Sequence, residues 1–276
     1  MSAPWALTRK LILDSRWMLG LTAAALFWLS WLFVFVAART EQAIREQIGE
    51  NDPARTMRFL RGMGGGSMDF STGAIEMAFW NHPMIILMFC VWAISRGTAA
   101  VAGEIDRGTL DMVLSRPITR TTYLLTQASW ALFGLAVLGA ALVAGNQLAH
   151  LRFVLNDPPG LRVVLRPAIN LAAIGFAVYG YALFLGAVDI VRWRPIMIAT
   201  VATLAGFILH VVANIPSLEE WKWMDKLSIF KAFNPVELVV KGDTFAFNTG
   251  ILSGIGAVAI ALALIVFNRR DLPTNS

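Results

Sequence analysis

Cysteine is almost absent from this chain. The single cysteine, Cys90, lies inside an apolar run of the 276-residue sequence. One thiol cannot form an internal disulfide framework, and a cysteine in an apolar setting behaves mainly as a small hydrophobic residue. The sequence therefore excludes a disulfide-stabilised scaffold and gives no indication of redox chemistry.

Charged residues are also scarce, because they make up 15% of the chain while hydrophobic residues make up 57%. Soluble domains contain about a quarter charged residues. The net charge of +5 comes from short basic clusters beside apolar runs. Such clusters are typical of membrane topology signals and not of a nucleic-acid-binding face. We therefore predict an all-α polytopic membrane protein that lies in the lipid bilayer and binds no nucleic acid.

Catalytic and nucleotide-binding motifs are missing as well. A P-loop requires Gly-Lys-Ser/Thr, whereas the five lysines of the chain are followed by Leu, Trp, Leu, Ala and Gly. The three histidines, His82, His150 and His210, have no Gly-x-Ser-x-Gly or His-Glu-x-x-His context. They fall near the ends of apolar runs, where imidazoles are able to ligate a metal, but water or backbone carbonyls satisfy most such residues. We expect no catalysis, no cofactor and no metal in this chain.

Six apolar runs have about the 20 residues needed to cross roughly 30 Å of hydrocarbon as a helix. The first, Trp17–Ala38, carries no charge over 22 residues and is too long for the core of a signal peptide. We interpret it as a permanent anchor. The spans are expected at about residues 17–38, 79–101, 123–149, 168–188, 195–215 and 249–267. They form one membrane domain over residues 1–276.

An even number of spans places both ends of the chain on one side of the membrane. Basic residues are denser on that side, where Arg192/Arg194 and Arg269/Arg270 flank spans directly. Lys and Arg are enriched in cytoplasmic segments. We therefore expect a multi-pass protein of the cell's inner membrane with both termini in the cytoplasm. The outer loops then cover residues 39–78, 150–167 and 216–248.

Two segments beside the spans have amphipathic patterns. Within residues 3–16, two leucines share one helical face and two charged residues lie on another, which predicts a helix on the inner membrane surface. Ser217 and Glu220 have the spacing of a capping box, and apolar residues then recur every three positions. This second pattern predicts an interfacial helix with Trp221 and Trp223 at headgroup depth.

The most informative part of the chain is residues 103–120, a charged segment between the second and third spans. The pair Gly108 and Thr109 is able to end the incoming helix and to begin a new turn. Three apolar residues then share one helical face at i, i+3 and i+4, which predicts a short amphipathic helix able to enter a groove on a partner. These residues are Leu110, Val113 and Leu114.

A proline limits the length of this short helix, and charged residues flank it. Arg116 precedes Pro117, and a residue before proline is biased away from the helical region, so the helix should end there. We expect Arg107, Asp111 and Arg120 to fix its register on a partner. The Glu104 carboxylate is expected to position the segment by pairing with Arg107 or Arg120.

The spacing Glu-x-x-x-Gly-Thr-Leu at 104–110, followed by Leu114, Pro117 and Arg120, resembles the cytoplasmic coupling segment of ABC-2 type transporter permeases. Phe-Asn-Pro at 233–235 and Phe-Asn-Arg-Arg-Asp-Leu at 267–272 extend this resemblance over the whole length. The chain is similar to small six-span permeases associated with multicopper-enzyme maturation or natural-product export, which have a type V exporter-like fold.

The resemblance implies a dimer of permeases, formed with a second copy or with a related subunit. It also implies two copies of a cytoplasmic ABC ATPase, which bind ATP and Mg²⁺ and drive export of a substrate that the sequence does not identify. Two other classes are the alternatives. A secondary transporter or channel is disfavoured because the spans are nearly free of charge, while a membrane scaffold or assembly factor is harder to exclude.

Overall fold

The structure is a computed structural model, and the part of it that is described here is helical throughout, without strands. The described residues are 3–48, 80, 82–115, 117–153, 160–215, 218–233, 235 and 244–270. The α-helices in them are α1 (Ala3–Ile48), α2 (Pro83–Ala100), α3 (Ala102–Asp106), α4 (Leu110–Leu114), α5 (Arg120–His150), α6 (Leu161–Val188), α7 (Trp193–Ala213) and α8 (Phe245–Arg269). Two 3-10 helices, Glu219–Leu227 and Ile229–Ala232, lie between α7 and α8.

Six helices in the described ranges are long and apolar enough to cross a membrane, namely α1, α2, α5, α6, α7 and α8. This confirms the predicted all-α fold with six spans. Apart from the first span, the fourth differs most from its expected start, because α6 begins at Leu161 and includes Pro167. Residues 163–165 are apolar and Val164 is buried, so tertiary packing extends the helix past the proline toward its N-terminus.

The first helix corrects one prediction. α1 runs without a break from Ala3 to Ile48, so residues 3–16 are not a separate interfacial helix. No glycine or proline lies between Pro4 and Gly20 to interrupt it, and the Ser15 hydroxyl donates to the Leu11 carbonyl within the helix (2.6 Å) instead of capping a new one. The helix also continues beyond the predicted end of the first span, into residues 39–48 of the predicted first loop. Residues 49–78 of that loop lie outside the described part of the chain.

The centre of the bundle is α6. It packs mainly against α2 and α8, while α1 packs along α5. Glycines, which have no side chain, permit the closest helix contacts. A Cβ atom on Gly180 of α6 would lie 2.7 Å from the carbonyl oxygen of Gly256 in α8. Gly145 of α5 is similarly close to the Phe27 backbone of α1. In lipid, helices associate through such van der Waals contact because the hydrophobic effect between them is small.

The periphery is formed by α7, whose large side chains are mostly exposed, among them Met197, Val201 and Ile208. Its C-terminal half holds the two 3-10 helices. The Ser228 hydroxyl donates to the Gly206 carbonyl (2.7 Å), and the Phe230 ring packs edge-on against Phe207. These contacts fold the connection to α8 back onto the bundle.

The segment after α7, predicted as an interfacial helix, is the 3-10 helix Glu219–Leu227. A 3-10 helix has three residues per turn, so apolar residues that recur every three positions lie on one of its faces. Trp221 and Trp223 are both exposed, as the interfacial prediction requires. The Leu218 cap makes no side-chain hydrogen bond, and Ser217 of the predicted capping box lies outside the described residues.

Candidate functional site

The connection between α2 and α5 contains two short helices, α3 and α4, separated by a glycine turn. Gly108 has φ of 65°, a conformation that is strained for residues with a side chain. The amide of Gly108 donates to the Ile105 carbonyl (2.9 Å) and that of Thr109 to the Glu104 carbonyl (2.9 Å). This is the Schellman arrangement that ends a helix, so the predicted break lies where Gly108 and Thr109 indicated.

Glu104 is the centre of the site. Its side chain is only 4% exposed and receives three donors. Lys10 Nζ lies 2.6 Å from Oε2, the Arg107 guanidinium lies 2.7 Å from Oε1, and the Thr109 hydroxyl donates to Oε2 at 2.6 Å. Because Lys10 belongs to α1, the carboxylate joins α1 to the segment 103–120. Arg107 is one of the two partners that the sequence proposed for Glu104.

Electrostatics keep this carboxylate ionised. Burial raises the pKa of Glu104, but the hydrogen bonds from Lys10 and Thr109 and the positive charges of Lys10 and Arg107 outweigh burial and hold the pKa below its ordinary value. The network therefore persists at neutral pH. It gives the turn around Gly108 a fixed position relative to α1.

Arg120 has a different role from the predicted one. Its guanidinium donates to the carbonyls of Phe267 (2.9 Å) and Arg270 (2.7 Å) and lies over the Phe267 ring, 5.7 Å from the centroid. It does not pair with Glu104. The reason is that the last carbonyls of α8 lack helical partners and lie at the negative end of the helix dipole, which favours a cation.

Arg270 repeats this arrangement at the end of α6. Its guanidinium donates to the carbonyls of Ala187 (2.8 Å) and Asp189 (3.0 Å). Arg120 and Arg270 thus join the start of α5 and the ends of α6 and α8 at the same end of the bundle as Glu104. The remaining tail residues, 271–272, lie outside the described part of the chain.

The short helix α4 ends at Leu114 with Ser115 as its cap, before Pro117. Its orientation corrects the predicted docking face. Leu110 is 3% exposed and packs into the core of this chain, and Val113 is half-buried against the same core. A five-residue helix is oriented by what it packs against, and here the apolar face is covered by the protein itself. The side chain of Leu114 and all of Arg116 lie outside the described residues.

The free face of α4 carries Met112, which is 67% exposed, and the exposed residues Asp111 and Ser115. Between this face and the N-terminal part of α1 lies a groove of about 310 Å³. The groove is mainly apolar and is lined by Ala6, Leu7, Lys10, Thr109, Met112, Val113 and Ile118. An apolar groove beside an exposed methionine and adjacent charged residues is typical of a surface that binds a protein partner.

Lys10 is the partner of Glu104 that the sequence did not predict, since it was placed only on the polar face of a surface helix. One signal was available: Lys10 is the only lysine before residue 222, and it precedes a long apolar run. A lone lysine beside a span is a reasonable partner for a buried carboxylate. The sequence offers no means of choosing Glu104 among the acidic residues.

The histidines do not converge. His82 caps the N-terminus of α2, where its Nδ1 accepts from the Met84 amide (3.3 Å), and its ring packs against Phe33. His210 Nδ1 lies 2.7 Å from Asp225 Oδ1, which fixes the first 3-10 helix to α7. Across the described residues, no group of three His, Cys, Asp or Glu side chains is able to hold a metal ion.

Comparison with known proteins gives the family of the chain. No individual curated protein matches it. A family model described as "ABC-2 family transporter protein" matches residues 10–272, which include Lys10, the Glu104 network and all six spans except the first residues of α1. Members of this family are membrane components of transporters and are not themselves catalytic. The chain is a multi-pass membrane protein and belongs to the ABC-2 transporter family.

Proposed function

We propose that this chain is the permease subunit of an ATP-binding-cassette exporter and that a separate cytoplasmic ATPase docks on residues 103–120. The proposal rests on two properties that occur together in this segment. Glu104 is buried and bound by three donors, and Met112 in α4 is exposed beside a groove. A passive connector requires neither property. A segment that receives force from a partner requires both, because its base has to be rigid and its contact face free.

The contacts of the segment supply a route for such force. Displacement of α4 acts on Glu104 through the Gly108 turn and on α1 through Lys10. Arg120 carries the same displacement to the end of α8. In this proposal, closure of the ATPase pair tilts the spans between inward-open and outward-open arrangements, which are two states of one packed bundle.

The proposed complex contains two ATPase copies, which bind ATP and Mg²⁺, and a second permease, either identical or related. The absence of a Gly-Lys-Ser/Thr sequence anywhere in the chain supports a separate energy-converting subunit. The exposed apolar faces of α1 and α7 leave room for a second permease and for lipid. Export of a substrate, rather than import, follows from the resemblance of segment 103–120 to exporter coupling segments.

Co-purification tests this proposal. We expect an ABC ATPase, supplied from the neighbouring gene, to co-elute with the detergent-solubilised chain, and we expect reconstituted vesicles to transport only when ATP and Mg²⁺ are present. Transport by the purified chain without an ATPase would contradict the proposal and favour a secondary transporter or channel. Stable membrane complexes without transport would favour a scaffold.

Orientation is tested by labelling single cysteines in a Cys90→Ala background, since Cys90 is buried and is the only native cysteine. We propose that the Glu104 end of the bundle is cytoplasmic. A cysteine at Ser115 should then be protected from an impermeant thiol reagent in intact cells, and one at Arg152, at the opposite end of α5, should react. The reverse pattern would refute the proposed topology, and permeabilised cells provide the control for reactivity.

A further inference from the structure

Arg96 is a charged residue within the span α2, four residues from its end. Its side chain is half-buried, and no hydrogen bond or ion pair to it is found among the described residues. The ionisable groups within electrostatic reach of its guanidinium are Tyr179, Asp14, Arg192 and Tyr123. Ionisable residues inside spans are costly and usually paired, so a guanidinium without a partner indicates a functional site.

A second polar group without a partner lies within electrostatic reach of Arg96. Tyr179 of α6 is 1% exposed, and its hydroxyl has no hydrogen-bond partner. The neighbouring Tyr123 differs, because its hydroxyl donates to the Ala100 carbonyl (2.6 Å) and accepts from Gln127 (3.0 Å). A buried hydroxyl that stays unpaired costs free energy, and Tyr179 therefore has a donor to spare.

Close helix packing brings the backbones that carry Arg96 and Tyr179 together. A Cβ atom on Gly97, the residue after Arg96, would lie 2.9 Å from the Tyr179 carbonyl oxygen and 2.8 Å from the Leu183 amide. The backbones of α2 and α6 are therefore in direct contact at this level. Such contact fixes the backbone positions from which the Arg96 and Tyr179 side chains extend.

Arg192 adds a second guanidinium from the connection between α6 and α7. It donates to the Ser95 carbonyl (3.3 Å), but its Nε is buried without a partner. Burial and the positive charge of Arg107 lower the pKa of Arg192, and Asp106 opposes this only in part. The local surroundings thus disfavour another cation and favour an anion.

The carboxylates at this end of the bundle do not supply that anion. Glu104 is bound by Lys10, Arg107 and Thr109. Asp189 Oδ1 accepts the backbone amides of the next two residues at 2.7 and 3.1 Å. The other two acidic side chains near the cluster, Asp14 and Asp106, are exposed. Asp14 and Asp106 act on Arg96 and Arg192 only at longer range, without an ion pair among the described residues, so both guanidiniums are open to a further anion.

We propose that Arg96, Arg192 and Tyr179 form a binding site for a phosphate group at the Glu104 end of the bundle. The planar guanidinium matches phosphate oxygens in a bidentate geometry, and the tyrosine hydroxyl supplies a further donor. The phosphate belongs either to a phospholipid headgroup of the adjacent leaflet or to a soluble phosphorylated compound. The inference does not depend on ATPase docking, because it concerns binding by this chain alone.

The test compares the wild-type chain with Arg96→Gln and with Arg194→Gln, a matched control that removes an exposed arginine near the same end. Each delipidated protein is titrated with phosphatidylglycerol, followed by native mass spectrometry, and with inorganic phosphate, followed by the unfolding temperature against chloride at equal ionic strength. We expect Arg96→Gln to weaken binding about tenfold or more, as the loss of charge-assisted hydrogen bonds predicts. Arg194→Gln should bind like wild type.

The two ligands identify the source of the phosphate. Loss of phosphatidylglycerol binding alone assigns the site to lipid, and loss of inorganic phosphate binding assigns it to a soluble compound. Tyr179→Phe, which keeps the shape of the ring, should weaken the same ligand less than Arg96→Gln does. A purely structural Arg96 would lower the unfolding temperature whether or not the ligand is present. Equal binding of both ligands by wild type, Arg96→Gln and Arg96→Lys would overturn the proposal.

Discussion

Replacing Glu104 with lysine should leave little correctly folded protein. The substitution removes a carboxylate that is 4% exposed and places a third cation beside Lys10 and Arg107. Breaking a buried ion pair by removing one partner costs about 3–5 kcal/mol, and the added repulsion increases that cost. We expect a large loss of monodisperse protein in detergent and a lower unfolding temperature in what remains. Size-exclusion chromatography of a fluorescent fusion and a thermal scan measure both.

Asp106→Lys is the control for Glu104→Lys, because it makes the same change of charge two residues away on an exposed side chain. It should fold like wild type. Glu104→Gln should fall between the two, since the amide keeps the size of the side chain but not its charge. Wild-type stability of Glu104→Lys would mean that the network around Glu104 does not hold the segment.

The pH dependence of the same network has a defined sign. A carboxylate with a pKa held below its ordinary value of 4.5 stabilises the fold fully above that value and loses its contribution as the pH falls through the lower, folded-state pKa. The stability difference between wild type and Glu104→Gln should therefore be constant near neutral pH. It should shrink only in acid below pH 4.5.

Replacing Met112 with aspartate should abolish ATPase association while leaving the fold of the permease intact. Met112 is 67% exposed in this chain, so the aspartate is solvated in the free protein. In the proposed complex the same position enters a desolvated contact, where an unpaired charge costs several kcal/mol. The measurements are the amount of co-purified ATPase and the ATP hydrolysis per complex at matched membrane levels.

Leu227→Asp is the matched control for Met112→Asp, because Leu227 is also 67% exposed and lies in the first 3-10 helix, away from α4. The Leu227→Asp variant should retain the ATPase. Leu110→Asp should not fold, since Leu110 is 3% exposed in the core. Full ATPase recovery with Met112→Asp would remove α4 as the docking site.

The sequence predicted local features of this protein well and long-range contacts poorly. Six spans follow from the length and composition of the apolar runs, and the end of α3 follows from Gly108, whose positive φ is a local property. The Lys10–Glu104 pair joins residues 94 positions apart, so no local pattern specifies it. Arg120 was one of two predicted partners of Glu104, and its contact with the end of α8 could not be predicted because Phe267 lies 147 positions away in the sequence.

The face of α4 could not be predicted for a related reason. The i, i+3, i+4 pattern identifies an apolar face but not what covers it, and in the fold Leu110 turns toward the permease core. The continuity of α1 was missed because a charged patch before an apolar run was interpreted as a boundary. The segment after α7 shows the opposite case, because its three-residue apolar repeat predicted a helix and matches the three residues per turn of the 3-10 helix found there.

The hydrogen bonds of Arg120 and Arg270 determine which positions at this end of the bundle are able to vary in sequence. The hydrogen bonds of both guanidiniums go to main-chain carbonyls at the ends of α6 and α8, and the Phe267 side chain lies under the Arg120 guanidinium. Carbonyl oxygens are present whatever residue occupies a position, so the residues of those helix ends, apart from Phe267, are able to vary without loss of these hydrogen bonds. Selection then falls on two arginines, one at the start of α5 and one at the end of α8, rather than on the segments that they hold.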